Sequence, residues 1–277
     1  MAASPALALA SGWSGSARAA RPITLGLTPV FLDSDIVLVR QIEAYLSRRL
    51  GRTVQVVKRR TYREISALLI AGQLDAAWIC GFPFVQHREA LSLVAAPLYR
   101  GASLYRSYVI VRRDRRAESL ADLSGDIHAF SDPDSNSGFL VTSAALAARG
   151  ETAAGFFARS FFTYGHRNVI RAVASGLAQS GSVDGYVWDV MAELEPALVR
   201  ATRILRTSEP MGFPPIAASR QTEPSIIAAT KAAFLGMDRS TIGQEILATL
   251  RLDGFAPVAP SQFDSIAALW RQVREAG

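Results

Sequence analysis

The stretch Ser131–Val141, SDPDSNSGFLV, crowds Asp132, Asp134, Ser135, Asn136 and Ser137 ahead of an apolar run, with Gly138 close behind. Short polar side chains cap helices by accepting from N–H groups that the first turn leaves unpaired. One cap suffices for that. The surplus fits a second use, because free N–H groups and the helix macrodipole together favour an anion. Ser135, Asn136 and Ser137 add side-chain donors, and Gly138 removes a Cβ that would hold an oxyanion away. A plain N-cap with an Asx-turn accounts for the same residues, so the segment by itself leaves both readings open. His166 opens a second helix, HRNVIRAV, where an imidazolium would help to hold an anion. Ser135 or Ser137 with His166 and Asp184 or Asp189 also has the composition of a nucleophile, a base and an orienting acid. The G-x-S-x-G elbow that exposes such a serine is missing, which makes a hydrolase the weaker reading.

These groups need a scaffold, and the chain supplies one in alternating pieces. ITLGLT (23–28) is a short strand, and the helix after it repeats Ile36, Val39, Ile42, Leu46 and Leu50 at helical spacing. TVQVVK (53–58) is a strand, Thr61 and Glu64 form a capping box, and DAAWIC (75–80) is a third strand. A second run places strands near 107–112, 126–130, 183–188 and 215–219. Helices fall near 138–149, 167–175, 222–234, 241–249 and 263–273. This alternation predicts an α/β fold with largely parallel sheets.

An internal echo divides the chain. AGQLDAAWIC (71–80) aligns with SGSVDGYVWD (180–189), matching Gly72 to Gly181, Asp75 to Asp184 and Cys80 to Asp189. Two such copies in two α/β runs predict two similar lobes, with crossings near 98–106 and 206–214. Ligands of open α/β sheets sit beyond the carboxyl ends of the strands. The polar segments there are Thr28–Asp35, Cys80–Phe84, Ser131–Gly138 and Asp189. Trp78, Trp188 and Cys80 read as core.

Bulk composition sets outer bounds. The 277 residues are 49% hydrophobic and 19% charged, which is globular. The net charge of +6 is carried by scattered arginines, since the lysines are only Lys58 and Lys231. Without a long basic run interleaved with aromatics, nucleic acid is not an expected partner. One cysteine permits no internal disulfide, and His87, His128 and His166 lack metal-ligand spacing. The first 20 residues, rich in Ala and Ser and ending in ARA before Arg21-Pro22, read as the end of a secretory signal or as a disordered tail.

DPDSNSGFLV resembles the D-P-x-S-T-S-G-[FY] signature of the substrate-binding components of phosphonate, phosphite and phosphate ABC importers. The helix-opening His166 with GSVDGYVWD after its helix, and TYREISALLIAGQLDAAWICG in the first half, are similar to further segments of that family. The resemblance covers about residues 23–220. It implies a two-lobed type II periplasmic binding protein fold with a hinge of two crossover segments. Lobe 1 would be 21–103 and 210–277, and lobe 2 would be 104–209. It further implies a monomer outside the cytoplasm, in the periplasm, that needs no cofactor. Such a protein closes on a small oxyanion and delivers it to an ABC transporter permease, or feeds a sensor kinase. The implied ligand-binding residues are Tyr62, Tyr105, Ser135, Asn136, Ser137 and His166, with Asn136 departing from the usual threonine. Asp189 is assigned the late acidic position through the internal echo.

Overall fold

Strand and helix alternate as the hydrophobic pattern requires through the first run. The computed structural model describes residues 21–28 and 36–276, so the readings for 1–20 and for 29–35 lie outside the described residues. The run comprises β1 (Ile23–Leu27), α1 (Ile36–Leu50), β2 (Val54–Lys58), α2 (Tyr62–Ile70), β3 (Ala76–Trp78), α3 (Gly81–Gln86) and β4 (Leu91–Leu98). Thr61 and Glu64 form the expected capping box at the start of α2. The inward face of α1 is Leu38, Ile42, Tyr45 and Leu46, whereas Ile36 is 63% exposed. The expected stripe is rotated because Tyr45 belongs to the core: its ring is buried and its hydroxyl donates to the Ala233 carbonyl at 2.6 Å.

The chain then passes through β5 (Leu104–Tyr105) into a second run. This contains β6 (Ser107–Arg112), β7 (Ile127–Phe130), a π-type turn Asn136–Leu140, α4 (Val141–Ala147), α5 (Ala153–Phe156) and β8 (Arg159–Phe162). It continues with α6 (His166–Ala174), β9 (Ser180–Asp184), α7 (Gly185–Leu194), α8 (Pro196–Arg200) and β10 (Thr202–Thr207). The return path is β11 (Met211–Gly212), β12 (Ile216–Ser219), α9 (Pro224–Leu235), α10 (Thr241–Leu250), β13 (Gly254–Ala256) and α11 (Asp264–Ala276).

Two main sheets result, in the orders β13-β4-β12-β3-β1-β2 and β10-β6-β9-β7-β8. β1 runs parallel between β2 and β3, and β7 runs parallel between β8 and β9. The strand that arrives from the other half inserts antiparallel in each sheet: β12 beside β3, and β6 beside β9. The two passages are tied together, since β5 and β11 pair as a short antiparallel ribbon. α11 packs on α3 of the first half and on α4 of the second.

The halves repeat at a fixed displacement of 104 residues, the separation of Tyr62 and His166. Ile23 and Ile127 open β1 and β7, Tyr62 and His166 open α2 and α6, and Cys80 and Asp184 cap α3 and α7. Gly72 and Gly176 follow the paired helices with φ of 68° and 78°, a left-handed conformation that favours glycine. The echo read from sequence was slipped by about five residues from this register. It took 183–188 as a strand, whereas β9 ends at Asp184 and GYVWD begins α7. The β-favouring Tyr186, Val187 and Trp188 are helical because the Asp184 carboxylate caps them, accepting from the N–H groups of Tyr186 and Val187.

One buried acid anchors the first sheet. Asp75 is 1% exposed and accepts from both terminal nitrogens of Arg21 at 2.9 and 2.6 Å, and from the Thr24 N–H at 2.8 Å. Burial pushes this carboxyl up, but Arg21 and Thr24 outweigh it and hold its pKa below the usual range. A depressed pKa stabilises the fold above the unfolded value, and that contribution is lost as pH falls through the folded value. Arg21 is largely exposed, so the effect is discounted for solvent. Asp75→Asn is expected to lower unfolding free energy at neutral pH by about 1–3 kcal/mol. In urea melts its gap to the wild type should narrow in the acid range, and an equal midpoint at pH 7 would remove Asp75 from this role.

Candidate functional site

Four helical starts meet between the two sheets: those of α2, the π-type turn, α6 and α7. Each follows a strand of the parallel set, so their first N–H groups converge on one region. The residues drawn together there are Tyr62, Cys80, Tyr105, Ser131, Ser135, Asn136, Ser137, His166 and Asp184, none more than 4% exposed. Six of the seven residues expected from sequence are in this cluster.

His166 organises it. The Asp184 N–H donates to His166 Nδ1 at 3.1 Å, so Nδ1 is the bare nitrogen and the proton sits on Nε2. Nε2 then donates to the Tyr62 hydroxyl at 3.2 Å. The Tyr62 oxygen is thereby an acceptor in this bond, and its own proton is left to donate elsewhere. Burial lowers the His166 pKa to about 3, so the ring is neutral near pH 7 and the expected imidazolium is absent. Burial also raises Tyr62 and Tyr105 well above the ordinary phenol value, which keeps both hydroxyls protonated.

The serine-rich segment divides its labour. Ser135 Oγ accepts from the Gly138 N–H at 3.0 Å, the N-cap role that the sequence had left open. Ser137 is within hydrogen-bond reach of both the Asp184 carboxyl and the Tyr105 hydroxyl, so its one proton goes to Asp184 while its oxygen accepts from Tyr105. The Asn136 N–H donates to Cys80 Sγ at 3.2 Å, and Asn136 Nδ2 donates to the Tyr105 hydroxyl at 2.8 Å. Cys80 is thus part of the cluster and not merely core, with burial pushing its thiol up to about 12. Within the cluster two buried polar atoms have no protein partner, Ser131 Oγ and Asn136 Oδ1. Such atoms carry a desolvation cost that a bound group with complementary atoms would relieve. Ser131 lies in the polar segment read from sequence but is not among the contacts expected there, because it stands at the strand end, ahead of the helix-opening residues.

The acidic position is corrected. Asp189 lies beyond the start of α7, where it accepts from Arg100 Nη1 at 2.9 Å and faces the Tyr99–Arg100 crossover. Asp184 takes its place in the cluster, as the five-residue slip in the echo implies. Burial raises the Asp184 carboxyl to about 7, against the pull of the Val187 and Tyr186 N–H groups and the Ser137 hydroxyl. Gly138 also has a different reason from the one expected. A Cβ there would stand 1.8 Å from Ser131 Oγ and 3.0 Å from His166 Cε1, so glycine is what lets these two approach.

The halves are linked around the cluster. Tyr62 N–H donates to Asp132 Oδ2 at 3.2 Å, Arg63 Nε pairs with Asp134 at 3.3 Å, and the Tyr186 hydroxyl donates to the Leu250 carbonyl. Both nitrogens of His166 are engaged by Asp184 N–H and Tyr62, so neither Ser135 nor Ser137 is paired with it as a nucleophile would be. The cluster has the makings of a recognition site for a small group rich in acceptors.

Two α/β lobes, each taking up an antiparallel strand where the chain arrives from the other lobe, with a cluster of helix starts between them, define a type II periplasmic binding protein. Residues 25–263 match the family of periplasmic substrate-binding proteins of phosphonate ABC transporters, and the chain belongs to that family. A phosphate-import protein of Mycolicibacterium smegmatis is 28% identical over 188 residues, 62% of this chain and 56% of that relative's length. The chain therefore spans little more than half of that curated relative. Among solved structures, a binding protein component of a phosphonate ABC transporter from Pseudomonas aeruginosa superposes with a TM-score of 0.85 at 18% identity. That likeness covers 93% of this chain and 88% of the other. A binding protein from Prochlorococcus marinus in complex with methylphosphonate gives 0.82 at 18% identity, covering 91% and 98%.

The neutral tautomer is directly measurable. With a pKa lowered to about 3, His166 should stay uncharged with its proton on Nε2 between pH 5 and 8. Its ring nitrogen shifts in NMR should be flat over that interval, and a titration centred near 6.5 would overturn the assignment.

Proposed function

We propose that this protein captures a small phosphorus oxyanion of the phosphonate class outside the cytoplasm and passes it to an ABC transporter permease. The supporting observation is the convergence in one buried cluster of polar groups that the protein leaves unspent: the Tyr62 proton, the Ser131 hydroxyl and the Asn136 carboxamide oxygen. Hydrogen bonds to an anion are shorter and roughly twice as strong as neutral ones. Asn136 takes part through its side chain. Turning its carboxamide over lets Oδ1 accept from Tyr105 and aims the Nδ2 protons at the ligand. His166 serves as a neutral positioning residue for Tyr62. Capture proceeds by closure of lobe 1 (21–103 and 210–277) on lobe 2 (104–209) about the β5–β11 ribbon.

Asp184 restricts the charge of the ligand. No basic side chain bonds its carboxyl among the described residues, so an ionised Asp184 repels a nearby anion. One proton between the two relieves that repulsion, carried by the acid or by a P–OH group. The family's role in phosphonate transport and the methylphosphonate held by a protein of like fold agree with this reading.

Calorimetry with methylphosphonate tests it. Tyr62→Phe and Ser131→Ala should each weaken binding by about 1.5–3 kcal/mol, the value of a hydrogen bond to a charged group. Wild-type affinity should fall as pH rises through about 7, where Asp184 ionises, and Asp184→Asn should flatten that fall. Unchanged affinity in both donor variants would refute the cradle. Saturating ligand should also shrink the radius of gyration in small-angle scattering, and superimposable curves would count against lobe closure.

A further inference from the structure

A cavity of about 740 Å³ opens between the lobes beyond the carboxyl ends of β1 and β3, and Asp184 forms part of its wall. It adjoins the cluster there, because the same Asp184 donates its N–H to His166 and receives the Ser137 hydroxyl. Most of its wall is apolar: Leu27, Leu38, Ile42, Trp78, Phe213 and Leu250 line it. Trp78 adds no donor, since its indole N–H is spent on the Pro214 carbonyl at 2.9 Å. Its rim is basic, with exposed Lys58, Arg59 and Arg60 from the end of β2. A cationic rim draws an anion towards the cleft.

Phosphate or methylphosphonate would leave most of this space unused. Cavities of roughly 300–1,000 Å³ with apolar walls and a few placed polar groups hold ligands of drug-like size. Resting on the oxyanion reading above, we infer that the ligand is a phosphonate bearing an apolar alkyl or aryl substituent of several carbon atoms. Its phosphonate head lies in the serine–tyrosine cradle, and its substituent passes Asp184 into the cavity against Trp78 and Ile42. The substituent is uncharged on this account, because the wall around Trp78 and Ile42 is carbon, while the charged Lys58, Arg59, Arg60 and Glu64 are exposed side chains at the rim.

Calorimetry on the intact protein with methyl-, butyl-, phenyl- and benzylphosphonate decides this. Each buried methylene is expected to raise affinity about fourfold, so butyl- and benzylphosphonate should bind more than tenfold tighter than methylphosphonate. Val39 is half-buried on α1 and lines the cavity, so Val39→Trp fills space without touching the cradle. In that variant the gain from larger substituents should vanish while methylphosphonate affinity is unchanged. Tight methylphosphonate binding with equal or weaker binding of the larger compounds overturns this inference alone. A gain that survives Val39→Trp places the substituent elsewhere and overturns it too. Failure of the folded wild type to bind any of the four removes the oxyanion reading, and this inference with it.

Discussion

Parallel strands that end in helix starts concentrate unpaired N–H groups at one place, and the rest of this molecule is arranged around that fact. β2, β7, β8 and β9 all point their carboxyl ends between the lobes, so the first turns of four helical segments face one another there. Unpaired donors are costly to bury without acceptors. The chain answers part of this demand with its own atoms: Ser135 for Gly138, Asp184 for Tyr186 and Val187, Cys80 for Asn136. Ser131 Oγ and Asn136 Oδ1 remain without a protein partner. Neutral His166 belongs to the same arrangement, since its bare Nδ1 absorbs one more N–H without bringing charge into a dry region.

Two buried aspartates show how surroundings separate scaffold from site. Asp75 and Asp184 are 1% and 2% exposed, yet their carboxyls move in opposite directions. Burial pushes both up. Asp75 is returned by the Arg21 guanidinium and Thr24, which makes it a permanent charge that fixes the first strand. Asp184 has only N–H groups and a hydroxyl, so its proton is in play near neutrality. A shifted acid inside a cleft, without a cation to explain it, is what a ligand-responsive group looks like.

Local chemistry was readable from the chain, and placement across the chain was less so. SDPDSNSGFLV announced its helix start and donors because caps depend on a few adjacent residues. Thr61 and Glu64 were readable for the same reason. The duplication was visible too, but GYVWD has strand-favouring residues that burial and the Asp184 cap turn into helix. That slip moved the acid from Asp184 to Asp189 and hid the equivalence of Cys80 and Asp184. Ser131 lacked a signal, because its role depends on how closely Gly138 lets it approach His166. The cavity was likewise invisible, being assembled from α1, β1, β3, α10 and the return crossing.

The displacement of 104 residues sets which residue meets which when the lobes come together. Tyr62 opens α2, His166 opens α6, and they bond across the cleft. A chain made of two copies of one half, facing each other about a pseudo-twofold axis, confronts itself position by position. Before the copies diverged, such a pair would have been two identical side chains. Two histidines or two aspartates there would compete for one proton or repel. Tyr opposite His instead makes the contact a donor meeting an acceptor. The asymmetry of the two halves is therefore concentrated where symmetry would be least tolerable, in the buried cluster between the lobes.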